Sequence, residues 1–270
     1  MCNLDVFYCH KPYRSIYIFY RGDIMVYSVK KQILRSLVFV ITFSLLLSFY
    51  CICFGNFFNS LGNTLAVATA MEPIEKKCLL IDPGHGGEDG GTVGVNGVLE
   101  KDLNLSLSEV LGTILEFSGY EVVQTRKEDK MLYDRNVNYH GRKKMLDLKG
   151  RLEIAKTVGP DLFIGIHMNA FPEQKYSGLS VYYSKNQAKS KDAAEIIRTN
   201  VKNNLQPDNT RETKAASSNI YILDRIPCPA ILIECGFLSN PEECEKLSSY
   251  DYRRELSFVL YSSLVSFLEE

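Results

Sequence analysis

The 270-residue chain is 46 % hydrophobic and 23 % charged, with 31 Lys+Arg against 32 Asp+Glu. That mix excludes an intrinsically disordered chain, which lacks the apolar content to form a core. Residues 71–270 hold 25 basic and 30 acidic residues, a net of −5, and that balance argues against nucleic acid, whose phosphates are held by an excess of Lys and Arg.

In chain order, the first feature is an uncharged run over residues 36–54 (SLVFVITFSLLLSFYCICF), preceded by Lys30, Lys31 and Arg35. About 20 apolar residues span a bilayer, and positive charge stays on the cytoplasmic side. The run therefore reads as a signal peptide or signal anchor. Residues 1–35 are then a cytoplasmic stretch, residues 55–76 a tether, and the rest of the chain lies outside the membrane; a buried core helix is the alternative. Met25 opens a conventional basic leader (MVYSVKKQILR), so residues 1–24 can precede the true start. Ala66-Val67-Ala68 and Ala68-Thr69-Ala70 both fit a signal-peptidase site but lie well beyond the apolar run. An uncleaved anchor is favoured, and cleavage stays open. Of the eight cysteines, Cys78, Cys228, Cys235 and Cys244 fall after this segment with no metal-finger spacing, and they read as buried thiols.

From residue 77 onward, short apolar runs alternate with helical patterns. Strands are expected at residues 78–81, 121–125, 162–166, 179–183 and 230–233, with a weaker one at 220–223. Leu103, Leu107, Val110, Leu111, Ile114 and Leu115 recur at helical spacing, and Gly119 follows as a stop. Further helices are expected at 187–204, 241–247 and 250–268. This alternation predicts one α/β domain over residues 77–268, with a central, mostly parallel sheet flanked by helices. Residues 127–150 are polar and break the pattern. They read as a solvated loop with a short helix, or as the wall of a substrate groove. His10 reads as a residue ahead of the domain and His140 as a loop residue.

Three apolar runs end in residues able to do chemistry: LLIDPGHGG reaches His85, FIGIHMN reaches His167, and ILIECG reaches Glu234. In open α/β sheets ligands bind at the C-terminal ends of strands. If the three runs lie side by side, these residues meet. A catalytic zinc takes three protein ligands and keeps one position open. Glu100, after the glycine-rich loop of residues 84–97, is a candidate third ligand beside His85 and His167. Its alternative is an acid that merely complements a helix dipole. Glu234 is then left as a general base for metal-assisted amide hydrolysis. The glycine loop lacks both the G-x-G-x-x-G spacing (Asp89 stands at the last position) and the Lys-Ser/Thr pair of phosphate loops.

The segments LLIDPGHGGEDGG, LEKDLNL, Thr125-Arg126, RLEIAK from Arg151, DLFIGIHMNA and AILIECGFLSNPEE together resemble the zinc-dependent N-acetylmuramoyl-L-alanine amidases of bacterial cell walls. The resemblance covers almost all of residues 77–268. It implies zinc ligands at His85, Glu100 and His167, a catalytic glutamate at Glu234, and peptidoglycan as substrate. Cys235 departs from the aliphatic residue more usual there. Within the family the chain is most similar to the germination-specific, spore-cortex amidases, on its N-terminal apolar segment, its want of wall-binding repeats and its basic insert HGRKKMLDLKGR. That similarity implies removal of stem peptides from cortex glycan in the forespore envelope, before a separate deacetylase forms muramic-δ-lactam. A vegetative autolysin, a zinc peptidase cutting within the stem peptide and an inactive wall-binding domain are the alternatives. With only three protein ligands and an exposed groove, an accessory spore-envelope protein that secures the metal is an expected partner.

Overall fold

A computed structural model describes residues 16–20, 23–27, 29–70, 76–134, 136 and 141–269, divided into two units between residues 74 and 75. His10, His140, Cys2 and Cys9 lie outside the described residues. In the first unit, β1 (Ile16–Tyr20) and β2 (Asp23–Tyr27) pair antiparallel, and α1 (Val29–Ala70) follows. Residues 33–59 of α1 are long and apolar enough to cross a membrane by length and composition. Their large hydrophobic side chains are exposed, Phe39 and Phe49 among them, so α1 is not the core helix allowed for above. The expected span 36–54 sits inside it, and the helix continues through residue 70 into the stretch read as a tether.

The second unit is built on a six-stranded sheet. Its strands are β3 (Cys78–Pro83), β4 (Glu121–Gln124), β5 (Leu162–Asn169), β6 (Ser180–Tyr183), β7 (Lys214–Ala215) and β8 (Ala230–Phe237), in the spatial order β4-β3-β5-β8-β6-β7. The first four in that order run parallel, and β6 pairs antiparallel to β8. The helices are α2 (Glu100–Phe117), α3 (Lys143–Val158), α4 (Lys189–Asn204), α5 (Tyr221–Arg225), α6 (Pro241–Ser248) and α7 (Tyr250–Leu268). Mostly parallel strands need cover on both faces, and successive residues of β3 divide between the two covers. Leu79 and Ile81 join the core under α2, α4 and α7, while Leu80 joins Leu152, Phe163, Ile222 and Leu223 under α3 and α5.

α2 forms because Leu103, Leu107, Leu111 and Leu115 line one face and are all buried. Each such leucine contributes roughly 1.5–3 kcal/mol. Gly119, at a φ of 95°, turns the chain out of the helix and donates to the Glu116 carbonyl. α6 starts on Asn240, whose side chain accepts from the Glu242 and Glu243 amides, with Pro241 as its first residue.

Three differences from the sequence reading stand out. Residues 220–223 are not a strand. Ile222, Leu223 and Ile226 recur at helical spacing, and α5 with the residue that follows it buries them against the sheet. An apolar run of four fits either element, and only its packing decides. β7, the two exposed residues Lys214 and Ala215, carries no pattern that could announce it. The short helix read within the polar stretch 127–150 is longer than expected: α3 starts at Lys143 and runs past the stretch to Val158, ending on left-handed Gly159.

Candidate metal centre

β3, β5 and β8 are neighbours, so the three apolar runs do end side by side. Their strands extend further than the sequence indicated. His167 and Glu234 are partners within the β5–β8 register, and His85 lies two residues past the end of β3. Glu100 opens α2, and its carboxylate is buried (3 % exposed) rather than merely facing the helix dipole. The ligand atoms of His85, Glu100 and His167 all fall within 4.8 Å of one another. Glu100 Oε1 lies 3.2 Å from His85 Nε2 and 3.1 Å from His167 Nδ1. It also accepts the Met168 amide at 3.1 Å, while Oε2 accepts the Thr92 amide at 2.9 Å. All four residues singled out by sequence therefore come together.

Two glycines make the convergence possible. A β-carbon on Gly84 would stand 2.2 Å from the His167 ring, and one on Gly91 would stand 2.6 Å from Glu100 Oε2 and 2.8 Å from the His85 ring. Both glycines leave the volume into which the donors fold. Two imidazoles and a carboxylate in such a cradle fit a borderline-soft divalent ion that accepts nitrogen and oxygen ligands. The second nitrogen of His85 lies 2.9 Å from Asp89 Oδ2, where a carboxylate can stabilise the ring's charge. Gly84→Ala should therefore displace His167 and weaken metal binding at least about tenfold, the cost typical of disturbing such a shell. Competition with a chromogenic chelator reads that loss.

His85 adopts a φ of 61°, which costs a residue with a β-carbon about 1–3 kcal/mol unless its surroundings impose it. Two buried arginines do so. Arg151 donates to the Pro83 carbonyl at 2.8 Å and to the His85 carbonyl at 2.6 Å. It is held by Asp82 at 2.6 Å and Asp147 at 2.8 Å. Arg126 donates to the Pro83 carbonyl at 2.9 Å, the Gly84 carbonyl at 3.0 Å and the Lys101 carbonyl at 2.9 Å. Buried Asn104, one turn after Glu100, reaches the Gly84 carbonyl at 3.1 Å and Glu100 Oε1 at 3.4 Å. Arg126, Arg151 and Asn104 stood in the motifs quoted above without an assigned role. Their signal was a basic or amide residue in otherwise amphipathic surroundings, which sequence alone reads as surface.

Burial alone would raise the Glu100 carboxyl, but His167 and His85 outweigh it and hold it far below the usual carboxylate range. Burial likewise opposes charge on His85, and Glu100 and Asp89 more than offset it, raising its pKa. Glu234 moves the other way: burial pushes it up, and the negative charge of Glu100 adds to that effect. Its Oε2 is sealed from solvent with no hydrogen-bond partner among the described residues. Burial also pushes the thiol of Cys235 far up, so this residue is no nucleophile at neutral pH. His85, His167 and Glu234 open onto a cavity of about 470 Å³. Its walls include Lys144, Leu148, Tyr182, Asn219, Ile222 and Leu223, so α3 and α5 both contribute. Of residues 127–150, Lys144, Asp147 and Leu148 of α3 border this cavity.

The sequence profile of the N-acetylmuramoyl-L-alanine amidases matches residues 79–264. This chain belongs to that family. The amidase is 34 % identical over 198 residues to the germination-specific N-acetylmuramoyl-L-alanine amidase of Bacillus subtilis, covering 73 % of this chain and 82 % of the relative. It also resembles the CwlD amidase of Clostridioides difficile, solved in complex with the GerS lipoprotein, at 34 % identity and a TM-score of 0.68, covering 72 % and 99 % of the two chains. AmiC2 of Nostoc punctiforme aligns at 31 % identity and a TM-score of 0.62, covering 72 % and 98 %. The amidase fold is thus a mixed α/β domain with a six-stranded central sheet, as the strand and helix patterns predicted. Its reaction is that of cell-wall N-acetylmuramoyl-L-alanine amidases.

Proposed function

We propose that the amidase is zinc-dependent, with His85, Glu100 and His167 as the metal ligands and Glu234 as the general base. The observation that carries this reading is the meeting of those three donors within 4.8 Å beside a half-buried glutamate whose Oε2 is sealed and unpartnered among the described residues. Zinc, when bound, supplies Lewis acidity at the scissile carbonyl and the attacking water. Glu234, raised in pKa by burial, takes the proton of that water and returns it to the departing amine of L-alanine. The Glu100 carboxylate stays ionised between the two imidazoles and fixes their orientation. Arg126 and Arg151 hold the Pro83–His85 backbone so that the ligand set is preorganised.

The bond cut joins the lactyl group of N-acetylmuramic acid to L-alanine, and the place of action is the spore cortex, outside the membrane. The relative from Bacillus subtilis, which is germination-specific, supports the cortex assignment. The apolar residues 33–59 support export or anchoring, with the catalytic domain from residue 77 on the outer face. An accessory envelope protein fits as a partner, since the Clostridioides difficile amidase was solved with a lipoprotein.

Digestion of purified cortex peptidoglycan by the zinc-loaded chain, read by mass spectrometry, tests this reading. Free peptides beginning with L-alanine and glycan bearing bare lactyl groups are the expected products. Peptides cut internally, with the lactyl amide intact, would instead establish a stem-peptide peptidase.

A further inference from the structure

Two cations outside the cavity lining have no role in the chemistry above. Arg211 donates its Nε to the Ser177 carbonyl at 2.6 Å and lies with its guanidinium carbon 4.3 Å from the centre of the Phe237 ring and 5.8 Å from that of Tyr176. Lys214, three residues on, stands 6.0 Å above the ring of Tyr182, a wall of the cavity that holds Glu234. Neither cation forms an ion pair with an acidic side chain among the described residues, and the two terminal nitrogens of Arg211 make no hydrogen bond among them. A guanidinium stacked on aromatic faces is fixed in direction while its outer donors stay free, the arrangement suited to a bidentate carboxylate.

The sheet brings the rings under these two cations close to the strand ends that carry His167 and Glu234. Phe237 lies three residues past Glu234 on β8 and pairs with Asn169, two residues past His167 on β5. Ser180 pairs with Glu234, which brings the 176–180 segment under Arg211 to the same strand ends. Tyr182 pairs with Lys214. The substrate's chemistry says what such a pair would meet. In the uncleaved bond the lactyl carboxyl is tied up as the amide, and N-acetylated sugars are neutral. The anions next to the scissile bond are therefore carboxylates of the stem peptide.

We propose that Arg211 and Lys214 form a carboxylate subsite that selects the acidic stem peptide and sets its direction across the reaction centre. This rests on the amidase reading and on Glu234 marking that centre. The carboxylate of the second or of the third peptide residue could supply the anion, and both present the same chemistry.

The test uses the full-length, detergent-solubilised, zinc-loaded chain and three disaccharide-peptides: one with free carboxylates, one amidated at the second residue, one amidated at the third. The wild-type protein should show a KM about tenfold higher for one amidated substrate with kcat nearly unchanged, as expected for one charge-assisted contact made equally in ground and transition states. The substrate that responds identifies the carboxylate. The double variant Arg211→Gln/Lys214→Gln should process all three alike while keeping its turnover number. A purely structural role for Arg211 would lower kcat or folding and leave the preference intact. The proposal is overturned if the wild-type protein treats all three alike, or if the double variant keeps the wild-type preference. Failure of the amidase reading would show separately, as no peptide released from any substrate. Binding titrations with the same three compounds then decide the subsite by the same criterion.

Discussion

Arg151→Leu is expected to destabilise the catalytic domain by about 3–5 kcal/mol, the usual cost of removing one partner from a buried charge network. Arg151 is 2 % exposed and is the shared partner of Asp82 and Asp147, themselves 2 % and 3 % exposed. Leucine would leave both carboxylates buried without their cation. Burial disfavours the charge on Arg151, yet the two aspartates outweigh it and raise its pKa, so the guanidinium stays ionised throughout the working range. The same substitution would free the His85 carbonyl and relax the strained φ at this proposed ligand. Activity should therefore fall even below the denaturation midpoint. The chain contains no tryptophan, so urea denaturation followed by far-ultraviolet circular dichroism is the suitable measurement. A loss under about 1 kcal/mol, the range of an exposed ion pair, would show that the cluster is hydrated in solution.

Glu234→Ala is expected to lower kcat about 10³-fold, within the range for loss of a general base, with zinc content unchanged. The separation follows from geometry. The donor cluster closes through His85, Glu100 and His167, and Glu234 is not part of it. His85→Ala, by contrast, removes a ligand and should lose metal and turnover together. Parallel metal analysis and kinetics on the two variants distinguish the roles. Equal zinc loss in both would make Glu234 a ligand and remove the proposed base.

Much of the site was legible because its residues interrupt strong apolar runs. A histidine or glutamate that ends a run such as LFIGI or AILI is costly to bury and so points to a function. Glu100 was harder to read, since an acid at a helix start has an ordinary explanation. Only the fold shows its carboxylate turned inward between two imidazoles. Arg126 and Arg151 were harder still. Arginine is normally a surface residue, and nothing in Thr125-Arg126 or RLEIAK says that both guanidinium groups are buried behind the Pro83–His85 loop. The misread 220–223 run shows the same limit from the other side. Its apolar character announced burial correctly, but four residues carry too little periodicity to separate a strand from a turn of helix. The full extent of the helix from Lys143 to Val158 was hidden by its polar composition, because only Asp147, Arg151, Leu152 and Ala155 of it are buried. Two of those four are charged.

The most direct test of the central claim is anomalous diffraction at the zinc edge from crystals of the zinc-loaded chain. One peak is expected, coordinated by His85, Glu100 and His167, with Glu234 near it but outside bonding distance. A peak ligated by Glu234, or placed away from His85 and His167, would contradict the assignment of ligands and base.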